Sequence, residues 1–105
     1  MIVTGGGQGI GRYLALALAE RGALVVVTAA RDPSSLDESA ALAAGLDGEV
    51  VPLMADICDL KDCERTLAFA ISEFGGVQAL VNSAARGIAY VRETAGGGPV
   101  PFWET

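Results

Sequence analysis

The sequence contains no histidine, a single lysine (Lys61) and only two cysteines, Cys58 and Cys63, among 105 residues. Two thiols without an imidazole cannot complete the tetrahedral shell of a structural zinc ion, so no metal site is expected. Sparse cysteines of this kind read as reduced thiols, and the expected location is cytoplasmic. Basic side chains are also scarce, seven against thirteen acidic ones, for a net charge of −6. Nucleic-acid binders carry a clustered basic face, and anionic membranes attract the same feature. Neither is an expected partner. No apolar run reaches the length of about eighteen residues that crosses a bilayer. No charged segment followed by an apolar stretch marks a secretory leader.

What is present is enough for one small packed domain, since 51% of the residues are apolar and the length suits a single core. The apolar run Met1-Ile2-Val3 leads into glycines and then into a helical segment expected from about Ile10 to Arg21. Ile10, Leu14, Ala17, Leu18 and Arg21 form its stripe. The small residues Ala15 and Ala19 allow close approach to a sheet, and Gly22 ends the segment. Leu24 to Thr28 is β-branched and continuous, as in a parallel strand covered on both faces. Ser35-Leu36-Asp37-Glu38 reads as a capping box for a second helix carrying Leu36, Ala40, Ala43 and Leu46. Val50 to Ala55 is a third strand, and Pro52, which cannot donate to a ladder, predicts that it lies at an edge. Asp59 is the expected N-cap of a third helix with the stripe Leu60, Cys63, Leu67, Ala70, Ile71 and Phe74, stopped by Gly75-Gly76. Val77 to Val81 is a fourth strand. Gly96 to Pro101 reads as loop, and Phe102 to Thr105 as the approach to a helix.

This β-α-β-α-β-α-β pattern predicts an α/β fold, a Rossmann-type doubly wound parallel sheet of order 3-2-1-4 that stops after the fourth strand. Ligands of such sheets bind at the C-terminal ends of the strands. Four features fall there: the glycines after strand 1, Arg31 after strand 2, Asp56 after strand 3 and Asn82 after strand 4. The glycine spacing is Gly5-x-x-x-Gly9-x-Gly11, one residue longer before the second glycine than the commonest dinucleotide motif. No Lys-Ser or Lys-Thr pair follows, which excludes the phosphate loop of nucleoside triphosphatases. Glycine permits positive φ and lets a phosphate approach the backbone. The helix that follows presents unpaired N–H groups and the positive end of its dipole to an anion.

With these residues in view, the chain resembles the short-chain dehydrogenase/reductase family of NAD(P)-dependent oxidoreductases. Thr4-Gly5-x-x-x-Gly9-Ile10-Gly11 matches the family's cofactor signature. Asp56-Ile57 resembles its adenine-contacting pair, and Asn82-Ser83-Ala84-Ala85 resembles its Asn-Asn-Ala-Gly motif, with Ser83 and Ala85 departing from it. Pro101-Phe102-Trp103-Glu104 is similar to the run before the family's fourth helix. The resemblance implies a dinucleotide partner. Gly5, Gly9 and Gly11 would hold the pyrophosphate, Asp56 and Ile57 the adenine, and Asn82 the ribose, with Thr4, Gly7, Gln8, Ile10 and Ala84 also in the cofactor-binding set.

Cofactor choice turns on the end of strand 2, where an acid selects NAD and an arginine selects NADP. Ala29 and Ala30 stand where the acid would be and Arg31 follows, so NADP(H) is expected over NAD(H). The family's catalytic acid/base is a tyrosine assisted by a lysine four residues on, because an unassisted tyrosine with pKa of about 10 is a poor base at neutral pH. Tyr13 is followed at that spacing by Ala17, and Tyr90 by Thr94. Residues 1–105 are therefore expected to be the cofactor-binding half of a Rossmann domain without its catalytic half, with no catalytic residues and no turnover alone. The parent would move hydride between NADP(H) and a carbonyl or alcohol, and is expected to be a homo-oligomer. The alternative is a non-catalytic nucleotide- or partner-binding small protein, or the inert product of a truncated gene, able to self-associate through an exposed fourth strand. A methyltransferase would need an acid after strand 2, which is missing.

Overall fold

The structure is a computed structural model that describes residues 1–83. The expectations for Ala84, Ala85, Tyr90, the loop at 96–101 and the helix approach at 102–105 lie outside the described residues. In chain order the elements are β1 (Ile2–Thr4), α1 (Gly9–Glu20), β2 (Leu24–Ala29), α2 (Pro33–Leu42), β3 (Glu49–Met54), α3 (Leu60–Phe74) and β4 (Leu80–Asn82). The strands pair in parallel in the order β3-β2-β1-β4, as the alternation of strands and helices implies. Pro52 lies on β3, which among the described residues pairs only with β2 and is an edge strand.

The valine run of β2 explains how the two faces are filled. Side chains alternate across a strand, so Val25 and Val27 point to one face and Val26 to the other. On the first face Val3, Val25 and Val27 meet Ala15 and Ala19 of α1 and Leu36 of α2. On the second, Ile2 and Val26 meet Ala70, with Phe69, Phe74 and Val77 around them. Val3, Val25, Val26 and Val27 are completely buried, at roughly 1.5–3 kcal/mol of transfer free energy each.

The helix faces differ from the expected stripes. Ala15 and Ala19 meet the sheet as expected, together with Gly11, whereas Ile10 of the expected stripe is 74% exposed. Small side chains decide this orientation, because they bring the helix axis close enough to bury the valines. In α3 the buried residues are Thr66 and Ala70, and Leu60, Leu67 and Ile71 face outward. The cap of α2 also differs. Asp32, not Ser35, is the N-cap; its Oδ1 accepts from the N–H groups of Ser34 and Ser35 at 3.1 and 3.2 Å. Pro33 then occupies the first turn, where its fixed φ and missing N–H cost nothing. Glu38, expected to close a capping box, turns instead to Arg12. Asp59 caps α3 by accepting from Lys61 N–H at 2.9 Å, and Gly75 ends the helix in the left-handed conformation, both as expected. β4 begins three residues later than its apolar run.

Candidate functional site

The strand register brings the C-terminal ends of all four strands to one edge: Thr4 pairs with Thr28 on one side and Asn82 on the other, and Ala29 pairs with Met54. The connection from β1 to α1 starts there. Gly5 and Gly9 have φ of 71° and 60°, in the region that side chains with a Cβ rarely enter. Gly11 has a different reason to be glycine. A Cβ there would run into the carbonyl of Gly5 and come within 3.2 Å of Ser83 Oγ. Gly7 lies against the Ser35 side chain in the same way.

The turn is anchored at Gly6, whose N–H donates to Thr28 O at 3.0 Å and whose carbonyl accepts from Ser39 Oγ at 2.7 Å. Beyond that anchor, no group among the described residues accepts from the N–H groups of Gly7, Gln8, Gly9, Ile10 or Gly11. Five adjacent donors at the start of a twelve-residue helix form a cradle suited to a phosphate or other anion.

The neighbouring strand ends contribute unevenly. Thr4 Oγ1 accepts from Ser83 N–H at 3.1 Å and donates to Val81 O at 3.4 Å, tying β4 to the turn. Asn82 is exposed beside it. Arg31 is exposed and makes no hydrogen bond or ion pair among the described residues. Asp32 does not hold it, because the Ser34 hydroxyl and Ser35 N–H engage that carboxylate and keep its pKa below the ordinary value. Asp56 is turned partly inward upon its own loop: Oδ1 accepts from Cys58 N–H at 2.9 Å, and its N–H donates to Asp62 Oδ2 at 2.8 Å. The Asp62 carboxyl titrates below its usual value for that reason first, and for the Arg65 guanidinium second. Ile57 is 46% exposed next to it. The glycine turn, Arg31, Asp56, Ile57 and Asn82 thus share the strand-end edge. Ala84 lies outside the described residues.

A family model described as short chain dehydrogenase matches residues 1–96. The chain belongs to the short-chain dehydrogenase family. A short-chain dehydrogenase/reductase homolog of Bacillus subtilis, YusS, is 34% identical over 83 residues, which are 79% of this chain and 76% of that protein. An 11-beta-hydroxysteroid dehydrogenase A of Arachis hypogaea is 37% identical over 87% of this chain, but the match spans only 26% of that protein. Among solved structures, a mutant of a Serratia marcescens short-chain dehydrogenase/reductase superposes with a TM-score of 0.77 at 31% identity, covering 82% of this chain and 35% of that one. The chain thus spans three quarters of one relative and about a quarter to a third of the others. That family consists of oxidoreductases that bind a nicotinamide dinucleotide.

The sequence did not single out three residues that bear on the turn: Gly6, Arg12 and Ser39. Gly6 stood within the motif but outside its spacing rule. Arg12 follows the last glycine and reads as an ordinary helix-surface charge, and Ser39 reads as a polar break in an alanine-rich helix. Only their meeting in space marks them.

Proposed function

We propose that this chain is the dinucleotide-binding portion of a short-chain dehydrogenase/reductase that transfers hydride between NADP(H) and a carbonyl or alcohol. The observation that carries the reading is the row of five unpartnered N–H groups from Gly7 to Gly11, at a helix start where a pyrophosphate gains most from the dipole. A Cβ at Gly11 would overlap the Gly5 carbonyl and one at Gly7 the Ser35 hydroxyl, while the space beside Gly9 is open, which leaves room for that group. In this reading Thr4 holds the turn to β4, and Gly5, Gly7, Gln8, Gly9, Ile10 and Gly11 surround the pyrophosphate. Asp56 and Ile57 meet the adenine, and Asn82 and Ala84 the ribose. The bound dinucleotide supplies or accepts the hydride.

NADP(H) is favoured over NAD(H) because Arg31 has no partner among the described residues while Asp32 is committed to the α2 cap. The one acid near the end of β2 is therefore engaged elsewhere, and a guanidinium is free for a 2′-phosphate. No Tyr-x-x-x-Lys spacing occurs in the sequence, so the reading gives residues 1–105 binding without turnover. Calorimetric titration tests it. NADPH should bind about tenfold or more tighter than NADH, as a charge-assisted phosphate contact of about 1.5–3 kcal/mol implies, with no NADPH oxidation on added carbonyl compounds. Equal or tighter NADH binding would overturn the cofactor choice, and turnover would overturn the assignment of binding alone.

A second reading has its own observation. β4 pairs with β1 and with no other described strand, Leu80 is 56% exposed, and α3 turns Leu60, Leu67 and Ile71 outward. An unpaired strand edge beside apolar surface favours pairing with another copy. Sedimentation of the chain should show association that weakens on Leu80→Lys; a monomer across the concentration range would remove this reading.

A further inference from the structure

Arg12 ties α1 to α2 through its side chain. It leaves α1 one residue after Gly11 and spreads its guanidinium over three groups of α2. Nε donates to Ser39 Oγ at 2.8 Å, Nη2 to Ser35 O at 2.9 Å, and Nη1 to Glu38 Oε1 at 3.3 Å. The side chain is only 20% exposed. A planar fork of fixed donors suits this triple contact, and a lysine could not reproduce it.

The chain of contacts does not stop at α2. Ser39 is completely buried, and its hydroxyl has one hydrogen and two lone pairs. Arg12 Nε fills one lone pair. Two carbonyls compete for the hydrogen: Ser35 O, one turn back at 3.2 Å, and Gly6 O at 2.7 Å. A helical serine ordinarily bonds back to the carbonyl four residues earlier. Here that carbonyl already accepts from Arg12 Nη2, and the shorter contact is to Gly6. Arg12 thereby shares the competing acceptor, which favours the shorter bond from the Ser39 hydroxyl to the glycine turn.

The consequence for the turn follows from peptide geometry. In a trans peptide the C=O of Gly6 and the N–H of Gly7 point in opposite directions. Holding the Gly6 carbonyl toward Ser39 fixes the Gly7 N–H, the first of the five unpartnered donors, away from α2. No cis peptide interrupts this. We propose that Arg12 is a positioning residue which, through Ser39, sets the conformation of the glycine turn and so tunes its affinity for the dinucleotide pyrophosphate. The affinity part of this inference rests on the dinucleotide reading above. The Arg12–Glu38 ion pair is the dispensable arm, because Glu38 is 64% exposed and exposed pairs contribute little.

The test uses four variants of the chain: Arg12→Met, Ser39→Ala, the double variant, and Glu38→Gln as control. Ser39→Ala keeps the Cβ in a fully buried position and so preserves the fold should Arg12→Met not. Two readouts are taken, NADPH affinity by calorimetry and backbone 15N order parameters of residues 6–8 in the ligand-free chain. Arg12→Met and Ser39→Ala should each weaken NADPH binding by about tenfold, one charge-assisted donor's worth. The double variant should be no weaker than the worse single one, because both break the same relay. Glu38→Gln should bind as the unaltered chain does. Order parameters should fall from about 0.85 toward 0.6 in the two single variants. Unchanged affinity and order in Ser39→Ala, or losses that multiply in the double variant, would overturn the inference. If the unaltered chain binds no NADPH, the dinucleotide reading fails by itself, and the order parameters decide whether Arg12 sets the turn.

Discussion

Gly9 and Gly11 are both glycine for reasons that can be separated by experiment. At Gly9 the φ of 60° is the whole constraint, since a Cβ there would meet nothing within 4 Å. Placing an alanine in the left-handed region costs about 1–2 kcal/mol. At Gly11 the backbone is helical and the obstacle is contact: the Cβ would overlap the Gly5 carbonyl, with Ser83 Oγ at 3.2 Å. Backbone cannot rotate aside as a side chain does. The cost should therefore reach the upper end of the overpacking range, about 3 kcal/mol. Urea denaturation followed by far-UV circular dichroism measures both. Gly9→Ala should lose about 1–2 kcal/mol, and Gly11→Ala clearly more. Binding should rank the other way per unit of stability lost. The open space at Gly9 is the side from which a phosphate would approach, so a methyl there should weaken NADPH by about tenfold or more in a chain that remains folded. A Gly11→Ala variant as stable as Gly9→Ala would refute the close approach of α1 to the turn. A Gly9→Ala variant with full NADPH affinity would refute the placement of the anion.

Three other expectations follow from single residues. The Thr28 hydroxyl is buried and has no hydrogen-bond partner among the described residues; Thr28→Val should raise stability by about 1 kcal/mol in the same denaturation assay, since an unpaired buried hydroxyl costs about 1–3 kcal/mol. The Asp32 carboxyl is held below its ordinary value of 3.8, first by the Ser34 hydroxyl and then by the Ser35 N–H. Its capping contribution is therefore complete above that value and lost as pH falls through the lower folded value. Asp32→Asn keeps the acceptor without the titration, so its melting temperature should fall less than that of the unaltered chain between pH 5 and pH 2. Arg31→Glu should reverse the cofactor preference in calorimetry, weakening NADPH by about tenfold or more while sparing NADH; equal losses for both would show that Arg31 does not meet the 2′-phosphate.

The features legible in the sequence are those set by a few neighbouring residues. Pro52 announced an edge strand because it lacks a donor, Asp59 a helix start and Gly75 a helix end, and the continuous valines of β2 a strand covered on both faces. The sheet order followed from the alternation of strands and helices, since right-handed crossovers leave few arrangements. Decisions made across the fold were not legible. The small residues Ala15 and Ala19 announced the side of α1 that meets the sheet, but counting apolar spacing drew its stripe through Ile10 and Leu14, and Ile10 is exposed. Ser35 and Glu38 satisfied the spacing of a capping box, but Asp32 followed by Pro33 made a better start three residues earlier, and Glu38 was drawn to Arg12. In the candidate site the glycines, Arg31, Asp56 and Asn82 could be read from their positions at strand ends. The link from Arg12 through Ser39 to Gly6 joins residues up to 33 positions apart, and no local pattern records it.

The account stands most directly on the five donors of the glycine turn. A 1H–15N correlation spectrum of the chain, recorded during titration with NADPH, observes each of them. The amide signals of Gly7, Gln8, Gly9, Ile10 and Gly11 should move together and saturate with one affinity, accompanied by the Arg31 side-chain signal. Saturable binding that leaves those amides in place, or no binding at all, would contradict the assignment of the turn as a dinucleotide cradle.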